Sequence, residues 1–157
     1  MRIVVTGVSG LIGSAFATEL GIQGHEVIGV SRSPSAGSVG WEEVTATLMN
    51  DVDAVVNLAG ETIAGRWTSQ KKRRITRSRL EAAESVSNAI RDSDRPPSVL
   101  IQASASGYYG SRGNEVLDER SSPGSGFLAD LCREWEAVSY THLRAHETEA
   151  DLVCRLL

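Results

Sequence analysis

The sequence predicts an α/β fold, a doubly wound parallel sheet with helices on both faces, and three observations predict it. Short apolar runs at Ile3–Val5, His25–Ser31, Asp53–Gly60 and Ser98–Ser104 are too continuous in buried-type residues for one face to stand in water. Helix-period segments alternate with them, as strand-helix-strand units require. The first run passes directly into Gly7-Val8-Ser9-Gly10-Leu11-Ile12-Gly13, a glycine turn that opens a helix.

Taken in order, Ile3, Val4 and Val5 form the first strand, and Leu11, Ile12, Phe16 and Leu20 recur at helical spacing behind the glycines. Val27, Ile28 and Val30 mark a second strand, ended by Ser31-Arg32-Ser33-Pro34 and a Ser/Gly-rich loop. Trp41 to Met49 is short and ambiguous and reads as a brief strand and a helical turn. Asp53–Gly60 is the next buried strand. From Ser69 to Arg91 the residues Ile75, Arg79, Ala82, Val86 and Ile90 lie along one face of a long helix, which Pro96-Pro97 stops. A further strand, Ser98–Ser104, closes on Ser106-Gly107-Tyr108-Tyr109-Gly110, and Phe127–Glu136 reads as another helix.

The glycine turn has the form of a dinucleotide cradle, so the fold is expected to be Rossmann-like. Gly7 permits the tight turn, Gly10 lets backbone approach a pyrophosphate, and Gly13 lets the helix pack on the strand. The pyrophosphate would rest on free amides at the helix start, including those of Leu11 and Ile12. About twenty positions on, where an NAD site carries an acid for the ribose 2′-hydroxyl, this chain has Ser31-Arg32-Ser33. A guanidinium flanked by hydroxyls suits a 2′-phosphate, so NADP(H) is expected over NAD(H). Ligands of such sheets bind at the carboxyl ends of the strands, where the glycine loop, Arg32, Gly60 and Ser104 all fall.

The chain has 157 residues, enough for one domain with a real core. A formal charge of −4 argues against a general nucleic-acid binder despite Lys71-Lys72-Arg73-Arg74, whose first three residues read as a solvated run opening a helix. No apolar stretch approaches a membrane span. The strand at the N-terminus leaves no room for a signal or transit peptide, so a cytoplasmic protein is expected. Two cysteines, Cys132 and Cys154, make neither a disulfide framework nor a metal spacing. The expected partner is a small-molecule substrate, and nothing in the residues speaks to oligomeric state.

From Met1 to about Glu136 the chain resembles the atypical, extended short-chain dehydrogenase/reductases of the YfcH-like epimerase family. The resemblance is carried by Thr6-Gly7 through Gly13, Gly24-His25-Glu26-Val27, Ser31-Arg32, Asn57-Leu58-Ala59-Gly60-Glu61, Arg66-Trp67, Ser78-Arg79, Ser104 through Gly110 and Phe127 through Glu136. It implies that Ser31 and Arg32 hold the adenosine phosphate end and that Leu58 and Ala59 line the cofactor's path. It also implies that Arg74 and Arg79 face the cofactor from the long helix. Independently, Arg79 shares an apolar stripe, an awkward place for a charge without an anionic partner, although a snorkelling arginine is the plainer reading.

Typical short-chain dehydrogenases orient a carbonyl with a Ser or Thr and protonate it with a Tyr, whose pKa a Lys four residues later lowers from about 10. Here Ser104 or Ser106 can supply the hydroxyl. The helix where Tyr and Lys belong reads Phe127-Leu128-Ala129-Asp130-Leu131-Cys132-Arg133, which contains no such pair. Tyr109 is the nearby phenol expected to reach a substrate, with Tyr108 alternating to the other side. Ser104 and Tyr109 are therefore the catalytic candidates, against the reading in which both pack; no metal ligands are expected, and Asp118 and Glu119 read as loop acids. The expected activity is an NADP(H)-dependent oxidoreductase or epimerase/dehydratase, with a non-catalytic NADP(H) sensor as the alternative.

After Ala137 the pattern stops. Val138-Ser139-Tyr140-Thr141-His142-Leu143-Arg144-Ala145-His146-Glu147 resembles the translation of a transposase-type sequencing adapter, GTC TCT TAT ACA CAT CTC CGA GCC CAC GAG. Two domains of meaning follow: residues 1–137 as a nucleotide-binding domain truncated before its last strands and its C-terminal substrate lobe, and 138–157 as a non-native tail. On that reading His142 with His146 is no metal pair and Tyr140 with Arg144 no catalytic pair, the truncated sheet has an unpaired edge, and the fragment is inactive. The competing reading is an amphipathic C-terminal helix supported by Leu143, Leu152 and Val153.

Overall fold

A computed structural model describes the backbone of residues 1–35, 37–143 and 153–156, and side chains as far as residue 140. Six parallel strands form one sheet: β1 (Arg2–Thr6), β2 (Glu26–Val30), β3 (Ser38–Val39), β4 (Ala54–Asn57), β5 (Val99–Ala103) and β6 (Val153–Leu156), in the order β3-β2-β1-β4-β5-β6. The helices are α1 (Leu11–Ile22), α2 (Ala46–Met49), α3 (Ser69–Arg91) and α4 (Phe127–Leu143).

Strand alternation sorts the core into two layers. Val4, Val55 and Leu100 point to the face covered by α2 and α3, where they pack with Met49, Val86 and Ile90. Ile3, Val5, Ala54 and Val56 point the other way, where Leu20 of α1 packs with Val27 and Ile101. A sheet buried on both faces leaves little freedom of register, because a one-residue slip would turn every side chain over. Thr6, Asn57 and Gln102 consequently stand side by side at the carboxyl ends of β1, β4 and β5.

The stripe along α3 is as the periodicity predicts: Ile75, Ala82, Val86 and Ile90 are buried. Thr68 caps the helix by accepting a hydrogen bond from the Lys71 amide, which satisfies one of its orphan donors. The ambiguous Trp41 to Met49 segment divides into a 3₁₀ turn at Trp41–Glu43 and the single turn of α2.

Among the described residues the open edge on this side is not β5 but β6, which lies parallel to β5 from Leu100↔Val153 to Ala103↔Leu156. One expectation is corrected. Residues Val153–Leu156 are strand, so a C-terminal helix does not extend through them. The pairs His142/His146 and Tyr140/Arg144 involve side chains outside the described residues.

Candidate cofactor and substrate site

The glycine turn is built as backbone against backbone. Gly7 has φ +68°, and a Cβ there would lie 2.9 Å from the Leu58 carbonyl oxygen, so this residue both turns the chain and brings β1 against the loop after β4. A Cβ on Gly13 would stand 2.3 Å from the Gly7 carbonyl oxygen and 3.0 Å from Val8 Cα. The first turn of α1 therefore sits directly on the end of β1. Gly10 caps α1 without a side-chain hydrogen bond, its own amide donates to the Gly7 carbonyl at 2.9 Å, and its carbonyl accepts from Ser14 at 2.9 Å. The next three amides, of Leu11, Ile12 and Gly13, have no intrahelical acceptor. Leu11 and Ile12 are exposed, so none of the described residues covers their side chains at that end of the helix. Free amides at an open helix N-terminus form a ready anion site.

Ser31 follows β2 and is buried beside the glycine loop, with its Oγ 3.5 Å from Ser9 Oγ. Its Oγ also accepts from the Ser33 amide at 3.3 Å, which curls the chain around it. Arg32 is exposed, and its positive charge is near enough to help hold the Glu61 carboxyl down.

Beyond β4 the chain runs as Leu58, half-buried, Ala59, buried, and Gly60, exposed. The Ala59 amide donates to Thr6 Oγ1 at 3.3 Å and Asn57 Oδ1 at 3.4 Å. Thr6 in turn donates to Asn57 Oδ1 at 2.5 Å, Asn57 Nδ2 donates to Gln102 Oε1 at 2.9 Å, and Ser139 Oγ donates to the same oxygen at 3.2 Å. This fully buried chain of polar groups fixes the loop that faces the glycine turn. Sequence reasoning missed it, although a polar residue ending each of three apolar strands was a readable signal.

Glu61 ties that loop to α3. Its amide donates to Ser78 Oγ at 2.9 Å, and its carboxylate accepts Lys71 Nζ at 2.8 Å with Arg74 Nε at 3.5 Å. The Lys71 hydrogen bond is the main reason its pKa falls below the ordinary value, with burial opposing. Lys71 is thus not a solvated residue: its side chain is 12 % exposed. Lys72 is not merely solvated either, since its Nζ lies 5.1 Å from the centre of the Phe127 ring. Arg73 and Arg74 are exposed.

Arg79 is half-buried under Gly60, where a Cβ would come within 2.9 Å of the guanidinium carbon. Its Nη1 donates to the Glu61 carbonyl at 2.9 Å and the Ile75 carbonyl at 3.3 Å, and its guanidinium lies 5.2 Å from the centre of the Trp135 ring. Burial pulls its pKa below the usual arginine value, opposed by the charges of Cys132 and Glu61. It forms one wall of a cleft of about 340 Å³ between α3, α4 and the loop after β5. Ile63, Leu128, Leu131, Cys132 and Trp135 form much of the rest.

Ser104 follows β5 and donates to Glu136 Oε1 at 2.6 Å, and that carboxylate is itself buried on α4. Cys132, one turn earlier, has its thiol pKa raised, first by burial and then by the Glu136 charge. Tyr109 is 7 % exposed, and it does not alternate with Tyr108 as in a strand. The reason is local: residues Ser106–Tyr109 form a 3₁₀ turn, so strand alternation does not apply, and the Tyr108 and Tyr109 rings meet edge to face at 5.2 Å. Neither Ser104 nor Tyr109 lines the cleft, whereas Ala105 and Ser106 do. Gly7, Gly10, Gly13, Ser31, Leu58 and Ala59 are thus gathered around the α1 end, whereas Arg79 lines the cleft beyond Gly60. No helix among the described residues is long and apolar enough to cross a membrane, and no group of three or more His, Cys, Asp or Glu among them could hold a metal.

A match to the NAD dependent epimerase/dehydratase family spans residues 3–142. An epimerase family protein of Mycobacterium bovis is 40% identical over 144 residues, which is 87% of this chain and 47% of that protein. Human epimerase family protein SDR39U1 is 36% identical over 143 residues, covering 88% of this chain and 49% of its own length. A crystal structure of that human protein with NADPH superposes with a TM-score of 0.83 at 32% identity, covering 99% of this chain and 52% of the other. A nucleoside-diphosphate sugar epimerase from Corynebacterium glutamicum gives 0.80 at 31%, covering 99% and 33%. The chain spans about half the length of the curated relatives it matches.

Proposed function

The chain belongs to the NAD-dependent epimerase/dehydratase family, and from that premise we propose that it is the cofactor-holding part of an NADP(H)-dependent oxidoreductase or epimerase/dehydratase of the atypical short-chain class. The observation that carries the proposal is the glycine turn, in which a Cβ at Gly7 or Gly13 would strike backbone and the amides of Leu11, Ile12 and Gly13 are left for an anion. Those amides hold the pyrophosphate, Leu58, Ala59 and Gly60 line the cofactor's path, and Arg74 adds a cation from α3. Ser31 and Arg32 take the adenosine 2′-phosphate, which a carboxylate there would repel. That the human relative was crystallised with NADPH supports the same choice. NADP(H), when bound, supplies hydride donation or acceptance. Ser104 is the hydroxyl offered at the reacting end, its proton directed to Glu136; Tyr109 packs the turn beneath it. The place of action is the cytoplasm, and the partner a small molecule.

Equilibrium titration with NADPH and NADH tests this. NADPH is expected to bind at least about tenfold tighter, roughly 1.4 kcal/mol, and Arg32→Glu to remove the difference. Equal or tighter binding of NADH contradicts the assignment of Arg32.

One observation favours a second reading, a cofactor-binding sensor without chemistry: the start of α4, Phe127–Arg133, contains no Tyr-x-x-x-Lys pair. Hydride transfer to a panel of carbonyl compounds, by a chain carrying a complete C-terminal lobe, separates the two. Tight NADPH binding without turnover supports the sensor. The 157-residue chain itself is proposed to be inactive, with residues 138–157 foreign to the natural protein. Long-read sequencing of the source DNA across the codons for Glu134 to Thr148 decides the latter: a frame that continues from Ala137 into other residues supports it, and persistence of Val138–Leu157 refutes it.

A further inference from the structure

The cleft beyond Gly60 joins a cation without a direct ion pair among the described residues to apolar walls. Glu61, the carboxylate whose charge acts on Arg79, is engaged by Lys71 at 2.8 Å, and among the described residues no carboxylate stands within ion-pair distance of Arg79. Nη1 is spent on two carbonyls, while Nε and Nη2 donate to nothing among the described residues. A half-buried guanidinium has given up part of its hydration, and an anion reached by two parallel N–H donors restores it. The fork also holds a fixed direction, because the ring of Trp135 lies against it and the carbonyls of Glu61 and Ile75 grip one end.

The walls decide what the rest of the ligand is. Ile63, Leu128, Leu131 and Trp135 present hydrocarbon, and Ser106 offers one hydroxyl. A polyol placed there would lose water from several hydroxyls and recover few hydrogen bonds, which is costly. A volume of about 340 Å³ is at the small end for ligand pockets. None of residues 7–13 lines this space, so an anion on Arg79 and a pyrophosphate on α1 occupy different places.

We propose that the cleft binds a compact, largely apolar carboxylate, held by a fork from Nε and Nη2 of Arg79. That such a molecule is the substrate rests on the reading of the chain as a cofactor-holding domain; its binding does not.

The test uses the 157-residue chain, with hexanoate and benzoate as probes, 1-hexanol and benzyl alcohol as their neutral counterparts, and UDP-glucose as a bulky polar competitor. Calorimetry and tryptophan fluorescence report binding, and NADPH is titrated in parallel. Each acid is expected to bind at least about tenfold tighter than its alcohol, with or without saturating NADPH, and UDP-glucose not to displace it. Arg79→Met should abolish the preference for acids. Acids that bind no better than alcohols, or not at all, overturn the proposal, and this comparison needs no variant to fold. Displacement of the acids by UDP-glucose also overturns it, as does competition between acid and NADPH, which would assign Arg79 to a cofactor phosphate. A failure of NADPH binding alone counts against the cofactor reading and leaves the acid comparison intact.

Discussion

Gly13 and Gly21 lie in the same helix, and adding one methyl group to each should have opposite effects. At Gly21 an added Cβ meets nothing within 4 Å, so Gly21→Ala trades a flexible helical residue for the best helix former. That should add about 0.5–1 kcal/mol. At Gly13 the Cβ would stand 2.3 Å from the Gly7 carbonyl oxygen, 2.9 Å from its carbon and 3.0 Å from Val8 Cα. All three are backbone atoms of the glycine turn, so no side chain can swing away. The start of α1 must lift off β1, at a cost of about 1–3 kcal/mol, as for other overpacked contacts. Urea unfolding should thus separate the two variants by about 1.5–4 kcal/mol with unchanged m-values. The lift also moves the amides of Leu11 and Ile12 out of line, so Gly13→Ala should lose NADPH affinity that Gly21→Ala keeps. A Gly13→Ala variant as stable as the parent and binding NADPH equally well would refute the claim that this contact shapes the cradle.

Two further outcomes follow from charge and burial. The folded-state pKa of Glu61 is depressed, chiefly by Lys71, so the pair contributes stability above the ordinary carboxylate range and loses it as pH falls through the lowered value. Lys71→Met should accordingly shrink the stability lost between pH 7 and pH 3 in urea titrations; an unchanged loss would remove the pair from the account. The Cys132 thiol is buried and its pKa raised, which keeps it protonated at pH 8. In a Cys154→Ser background a disulfide reagent should modify it at least about tenfold more slowly in the native protein than in urea, and equal rates would show the thiol to be open.

What the sequence made legible was whatever local pattern encodes. The runs of β1 and β4, the stripe on α3 and the glycine turn are each specified within a few residues, and each stands where the spacing placed it. The two-residue β3 is too short to have a period, and Trp41–Met49 divides between two kinds of turn for the same reason. Lys71 read as solvated because its partner lies ten residues away on a loop whose path no spacing dictates. Ser104 was visible as a hydroxyl at a strand end, but its partner Glu136 lies 32 residues on and meets it only when α4 packs beside β5. Tyr108 and Tyr109 were assigned by strand alternation in a segment that had already left the sheet.

The buried polar chain through Asn57 joins the two halves of the site, so its loss should be felt at both. Asn57 is fully buried and satisfies Thr6, Gln102 and the Ala59 amide together. Leucine is close to it in size, so Asn57→Leu leaves little cavity and acts by stranding polar groups. Thr6 Oγ1 still accepts from Ala59, but its proton and one lone pair of Gln102 Oε1 lose their partner; at about 1–3 kcal/mol for each stranded group, about 2–6 kcal/mol should be lost in urea unfolding. Ser139 continues to serve Gln102 Oε1, which keeps the figure toward the lower end. Because the Ala59 amide then hangs from Thr6 alone, the loop at Leu58 should loosen, with faster hydrogen exchange there and weaker NADPH binding. A loss of stability with exchange at Ala59 and NADPH affinity both unchanged would mean that the network only fills the sheet, and that the loop is positioned by Gly7 and Glu61 instead.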